Sequence, residues 1–417
     1  MSDWINGSPR DVALSFEGDV TRYVDLRRAV GAARLPDGDG AVGCPAGIDH
    51  AATLTTVLAA LDRGRPVIVG ADQAAADRVA SELPLGTALA LATSGSSSAG
   101  ATGRLVARTD ASWLASAAPL AEIAGLGSDD RFALTGPLHV SMHLYAALHA
   151  LWLGATIGDT LAGATAAQVT PTRLARLLNA GATPSTVIVA GAALPDAVRE
   201  RAAARGIRLV EYYGAAELSF VLAGPAGAMA PFPGVEVELR PAGTPAGLGV
   251  PAELWARSPY LALDVVGSGG MLRRDAAGFA TVGDLAERTD ATYRVLGRGD
   301  AAITTAGATV VAEAVEARLL ALPGVEAVAV LGQPHELLGE RVVAVVELTA
   351  GGSIDRIASL ARPLLATAEL PRRWIAATLP RTSSGKVARG ALRDALANGS
   401  LGEPTESTGA ARNGAVR

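Results

Sequence analysis

At 417 residues the chain is too long for one ordinary hydrophobic core, so two or more domains are expected. Apolar residues make up 49% and charged residues 18%, a globular composition that excludes a largely disordered chain. A net charge of −5 gives no reason to expect nucleic acid or an anionic membrane surface as partner.

The lone cysteine, Cys44, excludes an intrachain disulfide and fits a reducing cytoplasm. The start, Met1-Ser2-Asp3-Trp4, lacks a basic region followed by an apolar one, so no signal peptide is expected. No apolar run is long enough to span a bilayer.

From Asp11 to Leu83 short strands and helices alternate, which predicts an α/β sheet. Val12–Phe16 and Val67–Val69 read as strands, and Ala51–Leu61 reads as an apolar helix ending near Gly64. Next, Thr93-Ser94-Gly95-Ser96 opens a loop of small hydroxyl residues and glycines that runs to Arg104. Backbone N–H groups in such a loop can turn onto an anion, although Gly/Ser-rich segments are also plain linkers. Gly136-Pro137 precedes a helix running to Leu153 that carries His139, His143 and Tyr145. These three side chains could line a pocket or pack in the core. The His pair also has the four-residue spacing of metal ligands, but no acidic residue stands near enough to complete a site.

Thr186 to Pro195, a buried-strand pattern running into a turn, a helix from Asp196 to Arg205 and the strand Arg208–Tyr213 form a strand-helix-strand unit suited to a parallel sheet. Ligands of such sheets gather at the carboxyl ends of the strands. One end carries Gly191-Ala192-Ala193 and the other Tyr212-Tyr213-Gly214-Ala215-Ala216-Glu217. Small residues facing a tyrosine could hold a flat ring. Glu217 could hold a hard cation, or it could be a carboxylate at a helix start. A β-rich middle follows, with Asp284 and Arg298 beside glycines at strand ends, suited to a polyol or phosphate or else to surface turns. From Gly324 a module of about a hundred residues alternates strands and helices, the size of a small domain. The Gly/Ser/Thr-rich tail after Ala397 is expected to be disordered.

The last feature is Leu379-Pro380-Arg381-Thr382-Ser383-Ser384-Gly385-Lys386. Lys386 is the only lysine; every other member of the Lys+Arg total of 36 is arginine. A position that keeps lysine in so arginine-rich a chain points to a need for a compact point charge on a small target such as a phosphoryl or carboxylate oxygen.

The order of these segments, from Asp11 to Leu396, resembles the adenylate-forming superfamily of acyl-CoA synthetases, peptide-synthetase adenylation domains and luciferases. The resemblance implies an α/β N-terminal domain over residues 1–299 with a β-rich subdomain. It also implies a mobile α+β C-terminal domain over 300–397 that turns on a hinge at Asp300, followed by a disordered tail over 398–417. It implies ATP, Mg²⁺ and CoA, or the phosphopantetheine of an acyl carrier protein, as cofactors. Thr93, Ser94, Gly95 and Ser96 would form the phosphate loop. Gly191, Ala192, Ala193, Tyr212, Tyr213 and Gly214 would enclose the adenine. Asp284, supported by Arg298, would bind the ribose, and Glu217 would hold Mg²⁺ beside Ala216. Lys386 would bridge the substrate carboxylate and the α-phosphate.

The acid's pocket would include His139, His143, Tyr145 and Gly214. Amino-acid-activating relatives place an aspartate in the segment matching Pro137–Tyr145, and this chain has none. An aryl or short acyl acid is therefore expected, by analogy with short o-succinylbenzoate–CoA ligases. A cytoplasmic enzyme is expected, and a homodimer is compatible with all of this. Three departures bear on rate: the phosphate loop lacks its lysine, leaving Arg104 as the nearby cation; Ala216 replaces a threonine; and the part before the loop is short.

Overall fold

The computed structural model describes residues 3–92, 104–225, 227–241, 251–267, 272–298, 302–305, 308–335, 338–382 and 387–401. The chain divides into two compact units, Met1–Val295 and Leu296–Arg417.

The first unit is organised by a nine-stranded sheet. Its centre is six parallel strands in the spatial order Val12–Phe16, Thr156–Gly158, Arg131–Ala133, Ala166–Val169, Thr186–Val189 and Arg208–Ala215. Antiparallel neighbours finish both edges: Asp19–Arg22 on one side, Ser219–Ala223 and then Ala230–Pro231 on the other. Val187, Ile188 and Val189 are all buried, so both faces of this strand are covered and an unbroken apolar run, not alternation, is the pattern it requires. The helix Ser141–Leu153 is likewise buried along Leu144–Leu151 and stops at Gly154, where φ is +79°.

A second sheet pairs Val42–Cys44, Val67–Val69 and Leu89–Ala92 in parallel, then adds Leu105–Arg108 and Asp264–Val266 antiparallel. The β-rich part is a six-stranded sheet that includes Glu236–Arg240, Ala252–Arg257 and Asp284–Thr289.

The second unit is built on the antiparallel pair Val325–His335 and Gly339–Leu348, with Arg373–Ala376 added in parallel. Side chains of a strand alternate faces. Val342, Ala344 and Val346 accordingly pack with Val315, Leu319 and Ile357 of the helices Ala312–Leu320 and Ile354–Ala361. Val343 and Val345 pack on the other side with Leu392 and Leu396 of the helix Arg389–Ala397. The helix Ile354–Ala361 stops short of Pro363, which has no N–H to donate to the carbonyl four residues back. Both flanks of the lysine stretch are tied down. Arg381 pairs with Glu347 at 2.9 Å and bridges to Val387, while Arg389 pairs with Glu316 and donates to the Val330 carbonyl at 3.2 Å.

Candidate active site

The strand Arg208–Ala215 delivers the Tyr213–Glu217 segment to the carboxyl edge of the parallel sheet. It does not run into a helix: residues 216–218 form a turn back into Ser219–Ala223, so Glu217 is a turn carboxylate and not a helix-start one. Gly214 is required there. A Cβ on it would lie 2.0 Å from the Ser219 carbonyl oxygen, and the strand pairing shifts register between Tyr213 and Gly214.

Glu217 is buried, and Arg104 closes directly on its Oε1. A second guanidinium lies behind the turn. Arg108, fully buried at the end of Leu105–Arg108, donates from Nη2 to the Ala216 carbonyl at 2.6 Å and from Nη1 to Ser112 Oγ at 3.2 Å. Its Cζ stands 4.9 Å from the centre of the Trp113 ring. Burial draws Arg108 down to about 9, and the nearby charge of Glu217 resists that. It therefore stays charged at neutral pH. Sequence reasoning identified Arg104 but missed Arg108; the one signal was a charged residue closing the apolar run Leu105-Val106-Ala107. Two fixed cations around one carboxylate leave net positive charge at this strand end, which suits phosphate oxygens. Arg104 holds Glu217 here, and among the described residues no group of three or more His, Cys, Asp and Glu could hold an ion by itself.

Tyr213 donates its hydroxyl to Asp284 Oδ2 at 2.6 Å, joining the edge of the parallel sheet to the β-rich part. Asp284 is nearly buried and begins Asp284–Thr289. A carboxylate held this way can accept hydrogen bonds from a vicinal diol. Gly191, Ala192 and Ala193 follow the neighbouring strand Thr186–Val189 and are exposed; Gly191 has φ +91°. Tyr212 points to the opposite face, takes a hydrogen bond from Gln168 at 2.7 Å and packs on Phe220 at 4.5 Å. It supports the strand from within the core and does not face the strand-end site.

The acyl-pocket candidates separate in the same way. His139 is half-buried, with its Cβ 3.3 Å from the point a Cβ on Gly70 would occupy. His143 is buried against Gly136, leaving no room there for a side chain. Burial, then the Arg173 charge, then His139 pull it down to about 4, so its imidazole is neutral at pH 7. Tyr145 is a core residue and not a pocket residue: it is buried, shares a hydrogen bond with Ser116 at 2.8 Å and packs edge-on against Trp113. Helical spacing puts His149 beneath it, donating from Nε2 to the Ala117 carbonyl at 2.9 Å; burial takes His149 also to about 4.

These depressed histidines bind a proton more readily in the unfolded chain. Stability should therefore fall as pH drops from about 6.5 towards 4, by up to about 1.4 kcal/mol per pH unit for each. In His149→Gln the slope of unfolding free energy against pH over that window should be shallower by about one proton. An unchanged slope would show that His149 does not titrate this way.

Thr93, Ser94, Gly95, Ser96, Asp300 and Lys386 lie outside the described residues. Arg298 ends the strand Thr292–Arg298, and only its backbone is described.

Taken together, the fold and this edge define a nucleotide-binding type of α/β protein, with its polar residues gathered where parallel strands end. Residues 314–386 match the AMP-binding enzyme C-terminal domain. A probable 2-succinylbenzoate–CoA ligase of Mycobacterium tuberculosis is 31% identical over 291 residues, 67% of this chain and 73% of the relative. An uncharacterized acyl–CoA ligase of Bacillus subtilis is 28% identical over 328 residues, 70% of this chain and 66% of that protein. Among solved structures, o-succinylbenzoate CoA synthetase from Bacillus subtilis with its acyl-adenylate intermediate superposes at TM-score 0.78, with 19% identity over 93% of this chain and 96% of that one. The same enzyme has been solved with ATP and magnesium ion. This chain belongs to the AMP-binding, acyl-CoA ligase family.

Proposed function

We propose that the protein activates a small carboxylic acid with ATP and transfers the acyl group to the thiol of CoA. In the first step a carboxylate oxygen attacks the α-phosphorus, the bond to pyrophosphate breaks and an acyl-adenylate forms. In the second the thiol sulfur attacks the acyl carbon, AMP leaves with the bonding pair and the thiol proton is lost. The observation that carries this reading is the joining of Asp284, Tyr213 and the Glu217 turn at one strand edge, in a chain 31% identical to a probable CoA ligase.

Each side chain has a part in it. Asp284, oriented by Tyr213, takes the ribose hydroxyls, with Arg298 as second support. Gly191-Ala192-Ala193 and Gly214 leave a flat slot for adenine. Thr93–Ser96 and Arg104 face the phosphates. Lys386, carried by the second unit turning about Asp300, neutralises charge that builds on the α-phosphoryl oxygens, more in the transition state than before it. His139 and neutral His143 border the acid, which suits an aryl or short acyl group lacking an α-ammonium. Mg²⁺ comes with the nucleotide, whose phosphates would supply most of its ligands.

The acceptor we propose is CoA, with a carrier-protein pantetheine as the competing acceptor. A cytoplasmic setting accords with the free, buried Cys44. Among the described residues no helix is long and apolar enough to cross a membrane.

The test is ATP–pyrophosphate exchange across a panel of aryl and short aliphatic acids, followed by product analysis with CoA or a carrier protein. Acid-dependent exchange and an acyl-CoA product are expected. ATP binding without exchange for any acid would leave a nucleotide-binding protein and overturn the enzyme reading.

A further inference from the structure

The strands Thr186–Val189 and Arg208–Ala215 run side by side, with Val189 opposite Glu211. Just beyond that pairing the first strand gives way to Gly191-Ala192-Ala193 and the second presents Tyr213-Gly214, the two sides of the proposed adenine slot. Alternation puts Glu211 on the same face of its strand as Tyr213. One arginine ties the two sides together. Arg199, on the helix Asp196–Ala203, donates from Nε to Glu211 Oε1 at 2.8 Å and from Nη2 to Oε2 at 3.0 Å. Nη2 also reaches the Leu194 carbonyl at 3.2 Å, and Nη1 pairs with Asp196. The Glu211 side chain is 7% exposed and that of Arg199 24%, so this bidentate pair is shielded from solvent as an ordinary surface ion pair is not. A cavity of about 370 Å³ lined in part by Arg199, Arg208, Glu211 and Gly224 adjoins the pair. Neither side chain is packed on every side, and the geometry of the pair rests on its hydrogen bonds.

We propose that Arg199 is a positioning residue for the nucleotide base: held by Glu211, it fixes the Leu194 end of the Gly191-Ala192-Ala193 segment against the Tyr213 strand and so sets the width of the adenine slot. The proposal rests on reading that slot as the adenine site. Gly191, Ala192 and Ala193 are exposed, so burial does not hold them in place. A segment already at the right spacing accepts a flat ring at little cost, whereas a loose one must be ordered by the ligand. Arginine suits the task because two carboxylate oxygens and a carbonyl are served at once by one planar fork, which a lysine ammonium cannot match. Arg199 acts through the backbone it anchors and not by touching the base.

The experiment is calorimetric titration of ATP into the full-length protein in MgCl₂, with the thermal midpoint of each protein measured beside it. The variants are Arg199→Met, Arg199→Lys and the double variant Arg199→Met/Glu211→Met. Arg199→Met leaves a buried carboxylate without its guanidinium, so both the midpoint and the ATP affinity should fall, the affinity by roughly tenfold. The double variant removes both charged partners in favour of apolar chains of similar size, so its midpoint should return towards that of the wild type. Its ATP affinity should stay roughly tenfold down, because the Leu194 carbonyl is still unanchored. Arg199→Lys keeps the charge and should hold the midpoint, yet lose severalfold in affinity. That separation of affinity from stability is what a merely structural ion pair would not give. ATP affinity unchanged in Arg199→Met, or restored together with the midpoint in the double variant, overturns the proposal alone. ATP bound by none of the proteins, the wild type included, overturns the functional reading along with it.

Discussion

Lys386→Ala should slow carboxylate-dependent ATP–pyrophosphate exchange roughly a hundredfold to a thousandfold, the usual cost of removing one positioned charge from a developing oxyanion. Adenylation brings a carboxylate against a triphosphate, so charge rises on the α-phosphoryl oxygens as the new bond forms. A cation placed there lowers the barrier more than it strengthens ground-state binding. The loss should therefore fall on kcat, with the apparent KM for ATP little changed. Lys386→Arg should recover only part of the rate, since a planar fork cannot replace a point charge on one small target. The flanking anchors, Arg381 on Glu347 and Arg389 on Glu316, do not involve the lysine, so the thermal midpoint should not move. Formation of acyl-CoA from a supplied acyl-adenylate should be spared, because that half-reaction transfers no α-phosphoryl group. Exchange at the wild-type rate in Lys386→Ala would remove the lysine from the mechanism.

Arg108→Met should be the most damaging substitution for the stability of the first unit, at about 2–4 kcal/mol. The side chain is fully buried and the methionine chain fills much of its volume, so the cost is not mainly a cavity. What is lost is the donor to the Ala216 carbonyl, the contact with Ser112 and a charge that supports Glu217. Glu217 keeps Arg104, which holds the penalty below that of an isolated buried carboxylate. The desolvation cost of Arg108 itself is also relieved, which sets the upper limit. Because the carbonyl belongs to the turn that carries Glu217, ATP affinity should fall together with the denaturation midpoint. A variant as stable as the wild type would show that Arg108 contributes neither support nor positioning.

The elements that proved legible were those whose signal is local. Thr186–Val189 appears as an apolar run because both faces of a central parallel strand are covered. The helix Ser141–Leu153 has a matching simplicity: apolar all round, closed by a glycine. The two tyrosines show where this stops. A strand must send Tyr212 and Tyr213 to opposite faces, yet nothing nearby says which faces the ligand edge. That was decided by Asp284, 71 positions away, on one face and by Gln168 and Phe220 on the other. Tyr145, too, could be a pocket or core residue on its own segment; Ser116 and Trp113 from another helix make it core.

By itself the sequence determined the alternating α/β order, the strand-end motifs and the identity of the one lysine. These depend on residue type, spacing and period, all of which are properties of short stretches. Only the tertiary structure decided that Glu217 belongs to Arg104 across 113 positions and that Arg108 supports its turn across 108. The reason is that a charge is defined by its residue, whereas its partner is set by which strands the packing brings side by side.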